Sequence, residues 1–211
     1  MGGKNHRTLA ELAKALNLRS GDGRRLPPLI LMTDARRLPD PLAAAMTLPR
    51  GSAVILRDYD SPARAALARR LARLCRRRGL KLLIAADWAL ALAVGAQGVH
   101  LPEGLAHRAR AVRRNPRWLI TASAHSRAAL VEAARAGADA AIHAPRLATP
   151  SHPGRRPLGA MRFARLRREA PLPVYALGGV SAAGARRLKE TGAVGIAAIG
   201  ALQPERKCRS R

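Results

Sequence analysis

Residues 91–101 read A-L-A-V-G-A-Q-G-V-H-L, and this stretch decides the fold. Ala91–Val94 is helix-forming, and Gly95 stops the helix because glycine tolerates the left-handed cap conformation. Gly98–Leu101 is then a short apolar run of strand type. The same step from helix through Gly-Ala to strand recurs at Gly137-Ala138 and Gly192-Ala193, and Gly79 stops a further helical run. Working outward, apolar runs stand at Leu29–Thr33, Ala53–Leu56, Lys81–Ala85, Gly98–Leu101, Trp118–Ser123, Ala140–His143, Val174–Leu177 and Val194–Ile199. Stretches rich in Ala, Leu and Arg separate them, Pro62–Arg78 and Ser126–Ala136 among them. Strand alternating with helix predicts a parallel sheet with right-handed crossovers. The continuously apolar strands predict a sheet buried on both faces. Eight strand signals predict closure, an α/β chain folded as a (β/α)8 TIM barrel, with an open doubly wound sheet as the alternative.

Residues 1–28 are expected to form an N-terminal extension and linker, and residues 29–211 the barrel domain. Thr8 to Leu18 has helical spacing in Leu9, Leu12, Ala13 and Leu16, with Glu11 three residues after Thr8 as in a capping box. The segment S-G-D-G-R-R-L-P-P, residues 20–28, reads as a linker. Only Gln203–Arg211 follow the last strand region, so a truncated last helix is expected.

Hydrophobic residues make up 48% of the 211-residue chain, which argues against disorder, and aromatics only 2%, so Ala, Leu, Val and Ile must build the core. Lys plus Arg number 39 against 13 Asp plus Glu, a formal net charge of +26. Such a field attracts phosphorylated metabolites. The basic residues are spread over many helices, and aromatics that could stack on bases are nearly absent, which argues against a nucleic-acid partner. Cys75 and Cys208 make neither a disulfide framework nor a metal site, and a reducing cytoplasmic setting is expected. No apolar run reaches the roughly 18 residues that span a membrane, and no apolar h-region follows the N-terminus, so no membrane partner is expected. Homo-oligomer formation is left open.

In a barrel, the C-terminal strand ends carry the chemistry, with phosphate commonly held after strands seven and eight. Gly178-Gly179 and Gly200 fall there, and Gly lets backbone N–H groups approach an anion. A tight turn is the plain alternative. Ser123 and His125 close strand five on one side of the chain by alternation. His125 suits general acid–base work, since imidazole titrates near neutrality. Arg57 in V-I-L-R-D-Y-D is either a fork for phosphate or carboxylate or a surface pair with Asp58 or Asp60. Thr149, Ser151 and His152 lie in a long Pro-bounded segment whose hydroxyls can donate to phosphate. His100 reads as a hydrogen-bonded core histidine.

In order along the chain, L-I-L-M-T-D (29–34), V-I-L-R-D (54–58), A-L-A-V-G-A-Q-G-V-H-L (91–101), S-A-H-S (123–126), A-G-A-D (136–139), T-P-S-H-P-G (149–154), A-L-G-G-V (176–180) and G-I-A-A-I-G-A-L (195–202) resemble the thiamine phosphate synthase and TenI family over residues 29–202. The resemblance implies a barrel that either joins an aminopyrimidine pyrophosphate to a thiazole phosphate with Mg²⁺ or, in the TenI branch, moves a proton between ring positions of the thiazole without metal. It implies that Arg57 and Ser123 lie on the pyrimidine side. It puts Thr149, Ser151, Gly179 and the Ile199–Gly200 turn around the thiazole and its phosphate, and matches His125 to the TenI acid–base group. Several positions depart from the synthase pattern. Ile55 and Tyr59 replace Gln and Lys, Ala86 and Leu105 stand where the metal carboxylates are expected, and His152 replaces a Lys. Asp87 is the one candidate metal ligand, one residue late, with Glu103 a stand-in for the second. Mg²⁺ is therefore expected only if synthase activity survives. Three readings follow: a TenI-like tautomerase (isomerase), a divergent synthase (transferase), or a barrel without catalysis that binds a phosphorylated thiamine-type ligand or another polyanion.

Overall fold

The computed structural model describes residues 2–21, 26–143, 159–177 and 187–203. Eight strands, β1 (Leu29–Met32), β2 (Ala53–Leu56), β3 (Lys81–Ala85), β4 (Gly98–Leu101), β5 (Leu119–Ser123), β6 (Ala140–His143), β7 (Val174–Leu177) and β8 (Gly195–Ala198), close in sequence order. Every neighbouring pair is parallel, and β1 pairs with β8 through Ile30 opposite Ala197. That last pairing makes the sheet a barrel and removes the open-sheet alternative.

Alternation along the strands builds two cores. Ile30, Met32, Ile55, Leu83, Ile142 and Tyr175 meet inside the barrel, and Leu31, Val54, Ile84, Val99, Ile120 and Val174 face the helices. The interior is tight. A Cβ on Gly98 would lie 1.9 Å from the Leu119 carbonyl oxygen, and one on Gly195 would lie 2.3 Å from the Pro28 oxygen. Glycine is present there because the backbones approach too closely for any side chain. Tyr175 fills the interior instead, and its hydroxyl donates to the Pro27 carbonyl at 2.8 Å.

The outer helices follow the sequence reading with small shifts. α3 covers Arg64–Arg78, starting two residues after Pro62, and α6 covers Arg127–Arg135 with Ser126 accepting from the Ala129 N–H as its cap. α2 (Pro41–Met46), α4 (Trp88–Ala93), α5 (Ala109–Val112) and α7 (Gly159–Glu169) complete the described layer. Gly79, Gly95, Gly137 and Gly192 all have positive φ, as the stop signals required.

The N-terminal helix α1 (Gly2–Arg19) starts before the expected Thr8, which therefore lies within the helix and not at its start. Leu9, Leu12, Ala13 and Leu16 are buried in the outer core, and α1 packs against β8 and β1. Buried Asn17 near its end donates to the carbonyls of Leu26 at 3.2 Å and Val194 at 3.0 Å, where β8 begins. Among the described residues, β8 is followed by the 3-10 turn Gly200–Leu202, and α1 lies over the seam between β8 and β1. No described helix is long and apolar enough to cross a membrane.

Candidate active site at the barrel mouth

The inward phase of β2 runs through Ala53 and Ile55 and delivers Arg57 to the mouth. The Arg57 N–H donates to Thr33 Oγ1 at 2.9 Å, and the Thr33 hydroxyl donates to the Asp58 carboxylate. Arg64, on the first turn of α3, ties two strand ends together. Its Nε donates to the Arg57 carbonyl at 3.1 Å, its guanidinium also bonds the Ala85 carbonyl, and it stands 3.5 Å from Asp87 Oδ2 and over the Tyr59 ring. In the sequence Arg64 is one of many basic residues spread over the helices. No local pattern marks it, since its partners come from β2, β3 and the residue after β3.

On β4 and β5 a polar layer crosses the interior. His100, wholly buried, sits 2.9 Å by Nδ1 from Thr121 Oγ1 and 3.0 Å by Nε2 from Ser123 Oγ. Burial, and then the Arg57 charge, push its pKa from 6.5 down to about 3, so the ring is neutral. Below pH 6.5 the unfolded chain takes up a proton that folded His100 refuses, so stability is complete above about pH 6.5 and falls toward pH 3. The slope is at most about 1.4 kcal/mol per pH unit for one proton. Urea midpoints measured between pH 7 and pH 5 should therefore drop on acidification, and His100→Gln should flatten the drop. Equal slopes for the two proteins would refute the attribution.

His143 ends β6 on its outward face. Its Nδ1 lies 2.6 Å from the Ala124 carbonyl, which only accepts, so Nδ1 carries the proton. Nε2 is buried and has no partner among the described residues, and desolvation lowers the pKa of the ring. Phe163 of α7 packs 6.0 Å away. His125 lies beyond the end of β5 and is exposed. Its backbone N–H donates to Glu103 Oε2 at 2.6 Å, and its ring centroid is 6.5 Å from that of His143. Ser123 and His125 thus have different neighbours. Ser123 belongs to the interior with His100, and among the described residues no hydrogen bond joins His125 to Ser123 or Arg57.

Ile199 is half-buried and touches both cores, and exposed Gly200 opens the last turn, where among the described residues an added Cβ would meet only the Arg37 carbonyl at 3.9 Å. Thr149, Ser151, His152, Gly178 and Gly179 lie outside the described residues.

A family model described as thiamine monophosphate synthase matches residues 29–202, from β1 to the turn after β8. The chain belongs to the thiamine monophosphate synthase family. A thiamine-phosphate synthase of Salinispora arenicola is 37% identical over 190 residues, covering 82% of this chain and 88% of that protein. One of Thiobacillus denitrificans is 37% identical over 155 residues, covering 72% and 74%. Among solved structures, a thiamine phosphate pyrophosphorylase from Pyrococcus furiosus superposes with a TM-score of 0.69 at 27% identity, covering 87% of this chain and 88% of the other. The family expected from the eight ordered segments is therefore the family found, and the chain is a barrel of thiamine biosynthesis.

Within that thiamine monophosphate synthase frame, the donor set for Mg²⁺ does not fit. Ala86 carries no ligand, and Leu105 packs against the outer core. Asp87 is one residue further on and already engaged: Oδ1 accepts from the Leu90 N–H at 2.8 Å, capping α4, and Oδ2 faces Arg64. Glu103 is held by the His125 backbone. No three His, Cys, Asp or Glu side chains converge among the described residues.

Ala86 also has φ +58, a left-handed conformation that disfavours alanine but suits glycine. Ala86→Gly should stabilise the fold by about 1 kcal/mol, raising Tm by about 2–4 °C for a domain of this size. A Tm unchanged or lowered in calorimetry would show that the conformation costs nothing here.

Proposed function

We propose that this chain binds a phosphorylated thiazole of thiamine biosynthesis at the barrel mouth and acts on it by proton transfer through His125, without metal-assisted departure of pyrophosphate. One observation carries the reading. The positions that should hold the metal are Ala86 and Leu105, while the nearest carboxylate, Asp87, is spent on the α4 cap and on Arg64. A departing pyrophosphate needs its charge neutralised. Tautomerisation has no such demand. One proton leaves one ring position, another arrives elsewhere on the ring, and nothing is oxidised or expelled. An exposed imidazole can take and return that proton.

The phosphate contacts belong, in this reading, to Thr149, Ser151, Gly178, Gly179, Ile199 and Gly200. The setting is cytoplasmic, and the +26 charge serves to draw in small phosphates rather than nucleic acid. A second reading, synthase activity that survives with an altered metal site, is favoured by Arg57 and Ser123 at the mouth and by the names of the curated relatives.

A paired assay separates the two. Purified protein is given the thiazole phosphate with a chelator, and separately both synthase substrates with Mg²⁺. The first reading expects proton exchange at the thiazole in the chelator and no thiamine phosphate with Mg²⁺. Metal-dependent thiamine phosphate, with no exchange in the chelator, would replace it by the second.

A further inference from the structure

A neutral imidazole has one N–H and one bare nitrogen, so of the two hydroxyls that touch His100 one must donate to the ring and the other accept from it. The two are not equivalent. Thr121 is wholly buried, and among the described residues His100 Nδ1 is the only partner of its Oγ1. The Thr121 proton therefore has one acceptor, the Nδ1 lone pair. With the proton on Nδ1 instead, a buried hydroxyl donor would go unpaired, and such groups are rare because they keep their full desolvation cost. Ser123 is only half-buried at the mouth end of β5, where its proton can meet water or a ligand. The chain of donors thus runs from Thr121 O–H to Nδ1, and from Nε2–H to Ser123 Oγ. His143 carries the opposite tautomer, because its Nδ1 faces a carbonyl. The Arg57 charge, which helps to keep His100 neutral, stands at the same end of the barrel.

We propose that His100 is a positioning residue that holds Ser123 by its oxygen and so leaves the Ser123 hydroxyl proton as a donor aimed into the mouth. The Ser123 proton is then free for an acceptor on the ligand, a phosphate oxygen or the lone pair of a ring nitrogen, with the Arg57 charge at the same end of the barrel. This inference rests on the reading that the mouth binds a thiamine-type phosphate. Ser123 would face the acceptor half of that ligand, and His100 would act only through Ser123.

The tautomer is read directly by two-dimensional nitrogen–proton spectra of the ¹⁵N-labelled protein without ligand. The expected result is a protonated Nε2 and a bare Nδ1 on His100, with the preference lost in Thr121→Val. A protonated Nδ1 would overturn the inference. Binding of thiamine phosphate by calorimetry supplies the second arm. Ser123→Ala should weaken it by about tenfold or more, since a hydrogen bond to a charged or strongly polar group is lost. His100→Leu should weaken it similarly in the otherwise unchanged protein and add nothing to Ser123→Ala, while His100→Gln, whose amide can donate to Ser123, should recover part of the loss. Additive losses for His100→Leu and Ser123→Ala would overturn a role exerted through Ser123. If His100→Leu fails to fold, the unmodified protein and Thr121→Val still decide the direction of the proton. If the unmodified protein does not bind thiamine phosphate, the ligand half of this inference falls, while proton exchange at the thiazole phosphate separately decides the functional reading and the nitrogen spectrum the direction of the His100 proton.

Discussion

Replacing His125 by Asn should lower turnover of the thiazole phosphate by about 100- to 10,000-fold, the usual contribution of a positioned acid–base group. That corresponds to about 3–5 kcal/mol of barrier. Product affinity should stay nearly constant, because the ring has no hydrogen bond to the described part of the site. The fold should stay intact for a related reason. The bond that fixes this loop, at 2.6 Å to Glu103, comes from the backbone N–H and survives any side-chain change. Single-turnover kinetics and calorimetry on the same preparation check both halves. A variant that turns over at the original rate removes His125 from the chemistry, whatever becomes of the barrel.

The largest loss of stability is expected from Gly98→Ala. The new methyl would sit 1.9 Å from the Leu119 oxygen, which is backbone pinned by the β4–β5 ladder, so it cannot rotate away. Overpacking of cores typically costs 1–3 kcal/mol, and a backbone clash falls at the upper end, about 3 kcal/mol or more. For a chain of this length that lowers Tm by about 6–12 °C. Gly104→Ala is the control, since among the described residues nothing lies within 4 Å of its added Cβ. Similar melting temperatures for the two variants would mean that β4 and β5 can part at little cost.

The barrel was legible because several of its units repeat a local grammar. A glycine stop, a two-residue step and a short apolar strand give the same answer at Gly95, Gly137 and Gly192, and local agreement of this kind specifies a fold. The site was legible only in part. Arg57 and Ser123 could be placed at the mouth because strand alternation carries that far. The pairing of Ser123 with His125 could not hold in the same way, because alternation ends with β5 and the following residues answer to Glu103 and His143 instead. His100 was read as a satisfied core histidine, which the geometry bears out, but its partners lie on a neighbouring strand whose register no sequence pattern states. Arg64 and Asp87 illustrate the same limit. Their ion pair exists only because the starts of α3 and α4 stand side by side.

The seam between β8 and β1 has a temporal side. Asn17 and Val194, joined by a hydrogen bond, are 177 residues apart in the chain. At about 5–20 residues per second, a ribosome needs roughly 10–35 s to travel from one to the other. Throughout that interval Leu9, Leu12 and Leu16 cannot meet β8, one of the two strands that α1 packs against. A segment synthesised long before β8 is therefore among the last to find its place. Closure of the ring and docking of the first helix become a single late event, and a nascent chain that stalls before β8 presents that apolar face to whatever else is in the cell.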